Sequence, residues 1–345
     1  MPIKIGINGF GRIGRAVLRA IFEYELHDTF EVVCINSNGG EDEDIVTALA
    51  HLLSYDSVHG RFNASVSADE ANGCIHVDEK TIHVTSNLAP KTCLWSEYDV
   101  DVVFECTGRY TDRMGAMGHI TAGAKKVLIS GPSSDAEAMV VFGVNHEVIQ
   151  PNHQIVSNAS CTTNCLAPLI LPLHRAFKIE SGLMTTIHAY TNDQRLLDTR
   201  HKDFRRARAA GQSMIPTRTG AASAIGQIIP ELEGRLMGGA IRVPLANVSL
   251  VDLTLSLSKE VTVDEINASL QSEAEGPLKG VLDINSLPLV SVDFNHHPAS
   301  SIADLTQTTV IGHTVKVMAW YDNEWGFSCR MLDTAHYMMM PDAIS

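Results

Sequence analysis

The chain has 345 residues and a formal net charge of −14, a length that anticipates two domains. Its 45% hydrophobic content is that of a core-forming globular protein. The acidity excludes a general nucleic-acid or acidic-membrane binder, because phosphate surfaces reward net positive charge. Any anion this chain binds therefore needs a local basic cluster. No apolar run approaches the roughly 18 residues of a transmembrane helix, and the start MPIKIGINGFGRIGR lacks a signal peptide's charged beginning and apolar middle. Seven scattered cysteines, an odd number, do not read as a disulfide framework. The expectation is a soluble protein of a reducing compartment, the cytoplasm, with no membrane or nucleic-acid partner.

IKIGING predicts a short buried strand ending at Gly9, and Ile13, Val17 and Ile21 then fall at helical spacing. EVVCIN (31–36) reads as a second buried strand and IVTALAHLL as a second helix. The stretch 61–85 reads as a small antiparallel insertion. VDVVFECTG and KKVLISGP flank a helical segment near 111–123, and QIVSNAS follows. Strands alternating with helices predict βαβ units on a parallel sheet. Beyond Cys165 the period changes: in SLVDLTLSL, Val251, Leu253, Leu255 and Leu257 alternate with polar residues, as antiparallel sheets allow. Thr262 and Glu265 stand at capping-box spacing, so a helix starts there. VKVMAWYD is another strand and CRMLDTAHYMMM a closing helix. The fold class is α/β: a Rossmann-type doubly wound parallel sheet, followed by an α+β domain with a mainly antiparallel sheet. The junction falls near 155–162, and clefts between domains are where sites tend to form.

Gly9, Gly11 and Gly14 in GFGRIG follow a strand and open a helix. The glycines permit a tight turn and close backbone approach to a pyrophosphate, and the helix N-terminus offers free N–H groups to that anion. A dinucleotide site is expected. An acidic residue usually closes the second strand and grips the ribose 2′-hydroxyl; here Ser37 stands in that place, with Glu41 or Asp42 a few residues later as alternatives. Serine neither repels nor strongly attracts a 2′-phosphate, which leaves NADP open beside NAD.

SNASCTTNC (157–165) carries Cys161 among small polar residues, ahead of the apolar run LAPLILPL. A metal clip needs further ligands at zinc spacing, and no second cysteine pair supplies them. A disulfide conflicts with the compartment. SNAS offers N-cap residues for a helix that continues through Pro168 and Pro172. A cysteine in the first turn has its thiolate stabilised by the dipole and free N–H groups. Cys165, one turn deeper, faces the apolar run and reads as structural. A nucleophilic cysteine needs a base, and His188 ends the buried-looking strand LMTTIHAY; from the residues alone their pairing stays open. The stretch 191–222 concentrates Arg195, Arg200, Lys202, Arg205, Arg206, Arg208 and Arg218. A charge run is usually a solvated face, but so long a loop is uncommon unless functional. With Thr191, Thr219, Gly220 and Arg242 it suits a phosphorylated substrate.

INGFGRIGR, SNASCTTNCLAP, TTIHAYTNDQ, HKDFRRARAA, TGAA, IRVP and WYDNEWGFS, in that order, resemble the phosphorylating glyceraldehyde-3-phosphate dehydrogenases along essentially the whole chain. The resemblance implies a homotetramer, with a dinucleotide-binding domain over 1–160 completed by a C-terminal helix 324–345, and a catalytic domain over 161–323. It pairs Cys161 as nucleophile with His188 as base. It places Arg12 and Ile13 at the pyrophosphate, Thr107 and Ser130 along the cofactor, and Asn323 at the nicotinamide carboxamide. Thr191 and Arg242 match positions that hold the substrate's own phosphate. Ser160, Thr162, Arg206, Thr219 and Gly220 match those around inorganic phosphate. Glyceraldehyde 3-phosphate, inorganic phosphate and NAD are the implied partners.

Two departures bear on the cofactor. Ser37 replaces the acidic residue typical of strictly NAD-linked members, and Thr199 and Arg200 stand where such members often have Leu-Pro. In a tetramer Arg200 would lie near a neighbour's adenosine ribose and pair with a 2′-phosphate, so acceptance of NADP is expected as well. Two rival readings remain at this level. PLVSVDFNH and EWGF resemble erythrose-4-phosphate dehydrogenases, and a reactive Cys161 also suits a non-catalytic, dinucleotide-binding redox sensor.

Overall fold

A computed structural model describes residues 1–38 and 44–340, so Glu41, Asp42 and residues 341–345 lie outside the described residues. The chain divides into two compact units. The first comprises residues 1–140, 146–159 and 328 to the C-terminus, and the second 141–145 and 160–327.

The first unit is built on a nine-stranded sheet. At its centre Ile3–Asn8 pairs in parallel with Phe30–Asn36 on one side and Val102–Glu105 on the other. Lys126–Ile129, Ile155–Ser157 and Ala138–Met139 extend the parallel order outward. Ile5, Ile7, Val103 and Phe104 are fully buried, because parallel strands covered by helices have no solvent face. The expected antiparallel insertion joins the same sheet. Lys80–Thr85 lies parallel to Phe30–Asn36, and Cys74–Val77 and Val66–Asp69 then turn back beside it. The helices are α1 (Arg12–Glu23), α2 (Ile45–Ser54) and α3 (Arg113–Thr121). Strand order reverses about Ile3–Asn8, which makes the ends of that strand and Val102–Glu105 a topological switch point, where α/β sheets open a crevice.

The second unit holds an eight-stranded mixed sheet. Ile179–Ala189 is central, antiparallel to Ser249–Leu257 and parallel to Leu236–Val243. Ser249–Leu257 alternates as its sequence predicts, with Val251 and Leu253 fully buried. Helix α4 (Cys161–Phe177) packs on this sheet, with α5 (Ala221–Ile228) and α6 (Val263–Glu275) in the same unit. The capping box at α6 forms: Thr262 Oγ1 accepts from the Glu265 N–H, and the Glu265 carboxylate accepts from the Thr262 N–H. The last helix, α7 (Trp325–Met339), begins four residues before the stretch CRMLDTAHYMMM. Its start is fixed by Asp322, whose carboxylate accepts from the Glu324 and Trp325 N–H groups. No helix among the described residues is long and apolar enough to cross a membrane.

Candidate active site

Cys161 is the first residue of α4 because Ser160 caps it. Ser160 Oγ accepts the Thr163 N–H at 3.1 Å, a contact of about 1 kcal/mol. Both prolines lie inside a continuous helix. Cys161 is half-buried in this first turn, where the helix dipole and the Cys161 and Thr162 N–H groups favour a thiolate. Cys165, one turn on, is fully buried against Ser301 Oγ at 3.6 Å; its surroundings are those of a core residue.

Cys161 Sγ lies 3.6 Å from His188 Nε2. His188 is 4% exposed near the end of Ile179–Ala189. Its Nδ1 is 2.7 Å from the Ala189 carbonyl. That carbonyl also accepts from Arg242 Nη1 at 2.8 Å. With the Nδ1 proton on the carbonyl, Nε2 turns its lone pair to the thiol, as a base must. The ring is further held edge-on by Tyr321, centroids 5.9 Å apart. Tyr321 is locked by hydrogen bonds with Thr162 Oγ1 at 2.8 Å and Thr186 Oγ1 at 2.9 Å.

Arg242 reaches His188 because the two are register partners on neighbouring parallel strands. Its Nη1 is 3.0 Å from His188 Nδ1 and 3.4 Å from Thr191 Oγ1. Its Nε is buried without a hydrogen-bond partner among the described residues. A half-buried guanidinium with an idle, buried donor suits an anion. Burial lowers the His188 pKa to about 3, helped by the Arg242 and Arg206 charges. Burial also raises the Cys161 thiol, opposed by Arg242 and by hydrogen bonds at Thr162. Burial thus works against the charged form of each group, and for the thiol Arg242 and the Thr162 hydrogen bonds work the other way.

The basic stretch is a loop that pairs largely with itself. Arg206 donates to Asp193 at 2.6 Å and to Thr217 at 3.0 Å, and Arg208 donates to Asp198 at 2.6 Å. Arg206 thus has a carboxylate where the resemblance implies a phosphate, while Arg200 is exposed. Thr219 and Gly220 lead into α5, with Thr219 Oγ1 accepting from the Ala221 N–H. Asn323 is buried, and its Oδ1 accepts from Ser249 Oγ at 2.8 Å, which itself accepts from the Ala189 N–H. Cys161, Ser160, Thr162, His188, Thr191, Arg242 and Asn323 are thereby gathered around one strand end. Tyr321, Thr186 and Ser249 support them and escaped the sequence reading. The buried phase of each strand marks Tyr321 and Ser249 as inward-facing, but nothing local names their partners.

In the first unit, Gly9 has φ +94°, and a Cβ there would meet the Thr107 N at 2.8 Å. At Gly14 a Cβ would stand 2.4 Å from the Gly9 carbonyl, whereas at Gly11 nothing lies within 4 Å. Two glycines are required by packing, and the third leaves an open approach to α1, whose N-terminus no side chain caps. This cradle fits a pyrophosphate. Arg12, just inside the helix beside Ile13, is paired with the Asp56 carboxylate. The Ser37 N–H donates to the Thr85 carbonyl, and the Ser130 N–H to the Glu105 carbonyl, which sets both at strand ends.

Two family models match the chain: the C-terminal domain of glyceraldehyde 3-phosphate dehydrogenase over residues 160–323, and the NAD binding domain of the same enzyme over residues 3–113. A plasmid-borne glyceraldehyde-3-phosphate dehydrogenase of Cupriavidus necator is 54% identical over 97% of this chain and 98% of its own. Glyceraldehyde-3-phosphate dehydrogenases of Pseudomonas aeruginosa and Geobacillus stearothermophilus are 55% and 52% identical, over 97% and 98% of this chain and 98% of theirs.

Proposed function

From the premise that the chain belongs to the glyceraldehyde-3-phosphate dehydrogenase family, we propose that Cys161 and His188 carry its reaction. The protein oxidises glyceraldehyde 3-phosphate, with NAD and inorganic phosphate, to 1,3-bisphosphoglycerate. The observation that carries the residue assignment is the 3.6 Å contact between Cys161 Sγ and His188 Nε2 beside the idle donor of Arg242.

Cys161 Sγ bonds to the aldehyde carbon, and His188 Nε2 takes the thiol proton and passes it to the carbonyl oxygen, leaving a hemithioacetal. NAD, when bound, supplies the hydride acceptor. His188 removes the hydroxyl proton as the carbon is oxidised, and a thioester remains on Cys161. Inorganic phosphate attacks that carbon; the C–S bond breaks and His188 returns its proton to the sulfur. Arg242 and Thr191 hold the substrate's own phosphate, and Ser160, Thr162, Arg206, Thr219 and Gly220 surround the attacking one. Arg206 exchanges Asp193 for that phosphate. The glycines, Arg12, Ile13, Ser37, Thr107, Ser130 and Asn323 hold the dinucleotide.

Reduced-cofactor formation from glyceraldehyde 3-phosphate, with and without inorganic phosphate, tests this reading. Turnover is expected only with phosphate. Phosphate-independent turnover, or turnover of erythrose 4-phosphate alone, would overturn it. Ser37 and the exposed Arg200 further support acceptance of NADP, so Arg200→Ala is expected to lower the NADP-to-NAD ratio of kcat/KM by about tenfold, the worth of one charge-assisted contact. An unchanged ratio refutes that role.

A homotetramer is supported by Leu183 and Met237, register partners on adjacent strands that are 68% and 71% exposed in the single chain. A cytoplasmic location is supported by seven cysteines that are all free.

A further inference from the structure

A hydrogen-bonded relay of buried side chains lies beneath the switch point of the first unit, outside the chemistry described above. Glu105, 1% exposed, closes the strand Val102–Glu105. One of its oxygens accepts from Asn8 Nδ2 at 2.5 Å and stands 3.0 Å from His119 Nε2. The other accepts from the Thr107 N–H at 2.8 Å and from the Thr107 hydroxyl. His119, fully buried on α3, meets Trp95 Nε1 through its Nδ1 at 2.9 Å. An indole N–H only donates, so Nδ1 accepts and the imidazole proton sits on Nε2, where it donates to Glu105. Trp95 therefore sets the tautomer, and the tautomer sets the donor that Glu105 receives.

The relay continues across the sheet. Asn8 Oδ1 accepts from Asn36 Nδ2 at 2.7 Å, and Asn36 Oδ1 accepts from Thr85 Oγ1 at 2.9 Å and from the Asn87 N–H at 2.8 Å. It ties together the C-terminal ends of four adjacent parallel strands: Ile3–Asn8, Phe30–Asn36, Lys80–Thr85 and Val102–Glu105. Those ends carry Gly9, Ser37 and Thr107, and the Thr107 backbone packs where a Cβ on Gly9 would stand. Strand ends at a switch point form the floor of a dinucleotide crevice, and a floor held by satisfied buried hydrogen bonds costs little further ordering on binding.

We infer that His119 and Trp95 are positioning residues for the NAD site, acting through Glu105 on the Asn8 and Thr107 ends of the cradle. The inference rests on the dinucleotide reading. Equilibrium titration of NAD against the protein without substrate tests both: a wild-type chain that bound no NAD would refute the reading itself. His119→Leu, which removes donor and acceptor together, is expected to weaken NAD by about tenfold. His119→Gln, whose amide supplies one acceptor and one donor, stays within about threefold of wild type. The rate of Cys161 alkylation by iodoacetamide without NAD is expected to be unchanged in both. Equal NAD affinity in wild type and His119→Leu, or equal losses in the Leu and Gln variants, would overturn the inference. Should His119→Leu fail to fold, Trp95→Phe is the second variant: it leaves a smaller aromatic ring on the Gly6 side and removes the indole N–H. A several-fold weaker affinity is expected from it, and an unchanged one overturns the role of Trp95.

Discussion

Replacing Cys161 by serine is expected to cut phosphate-dependent turnover by a factor on the order of 10⁴ or more. The expectation follows from what the site supplies. The helix dipole, Thr162 and Arg242 favour an anion at this position, opposing the burial that raises the thiol. A thiol lies within reach of that balance, whereas a hydroxyl, far less acidic, does not. His188 would still accept a proton, but the serine oxygen is also the poorer leaving group when phosphate attacks. The substitution removes no cap, since Ser160 holds the first turn of α4. NAD affinity and thermal midpoint are accordingly expected to match wild type, so a loss of turnover accompanied by unfolding would not support the assignment. Substantial phosphate-dependent turnover in a folded Cys161→Ser protein would remove Cys161 from the mechanism.

His188→Asn is expected to lower kcat by roughly 10²–10⁴, the usual contribution of a positioned general base, and to change the pH dependence in a definite direction. Burial holds His188 down to about 3 and pushes the Cys161 thiol up. Without the imidazole, addition to the aldehyde relies on thiolate already formed. Below the thiol's raised pKa that fraction grows about tenfold per pH unit. Residual activity should therefore climb with pH into the alkaline range, and the gap to wild type should narrow as it does. A gap that stays constant with pH would mean that His188 orients the substrate without moving the proton. Arg242 complicates a simpler test by mutation there, since its Nη1 touches both His188 and the Ala189 carbonyl; any change would alter the base and the anion site together.

Much of this protein is legible in local patterns because the physics behind them is local. Gly9 and Gly11 follow a strand and precede a helix whose first turn holds Gly14. The alternation in 249–257 is the pleat of a sheet with two differently packed faces, and Thr262 and Glu265 are three apart because a capping box closes over one turn. Ser160 marks the start of α4 in the same way and so puts Cys161 at a helix N-terminus. The string of motifs in family order identified the chemistry, and the matching family models and relatives carry it across the chain.

What only the tertiary structure decided are contacts between residues far apart in the chain. Arg242 stands beside His188 because strands 54 residues apart in sequence run parallel in that register, and no periodicity in either strand names its neighbour. Tyr321 joins Thr162 and Thr186 across separations of 159 and 135 residues. The basic loop reads as seven cations, yet folding brings Asp193 and Asp198 onto Arg206 and Arg208, which offsets charges that sequence arithmetic leaves exposed. The Trp95–His119–Glu105 relay was invisible for the same reason. A buried polar group has to find a partner, but which partner it finds is set by sheet order, and sheet order is a property of the folded chain as a whole.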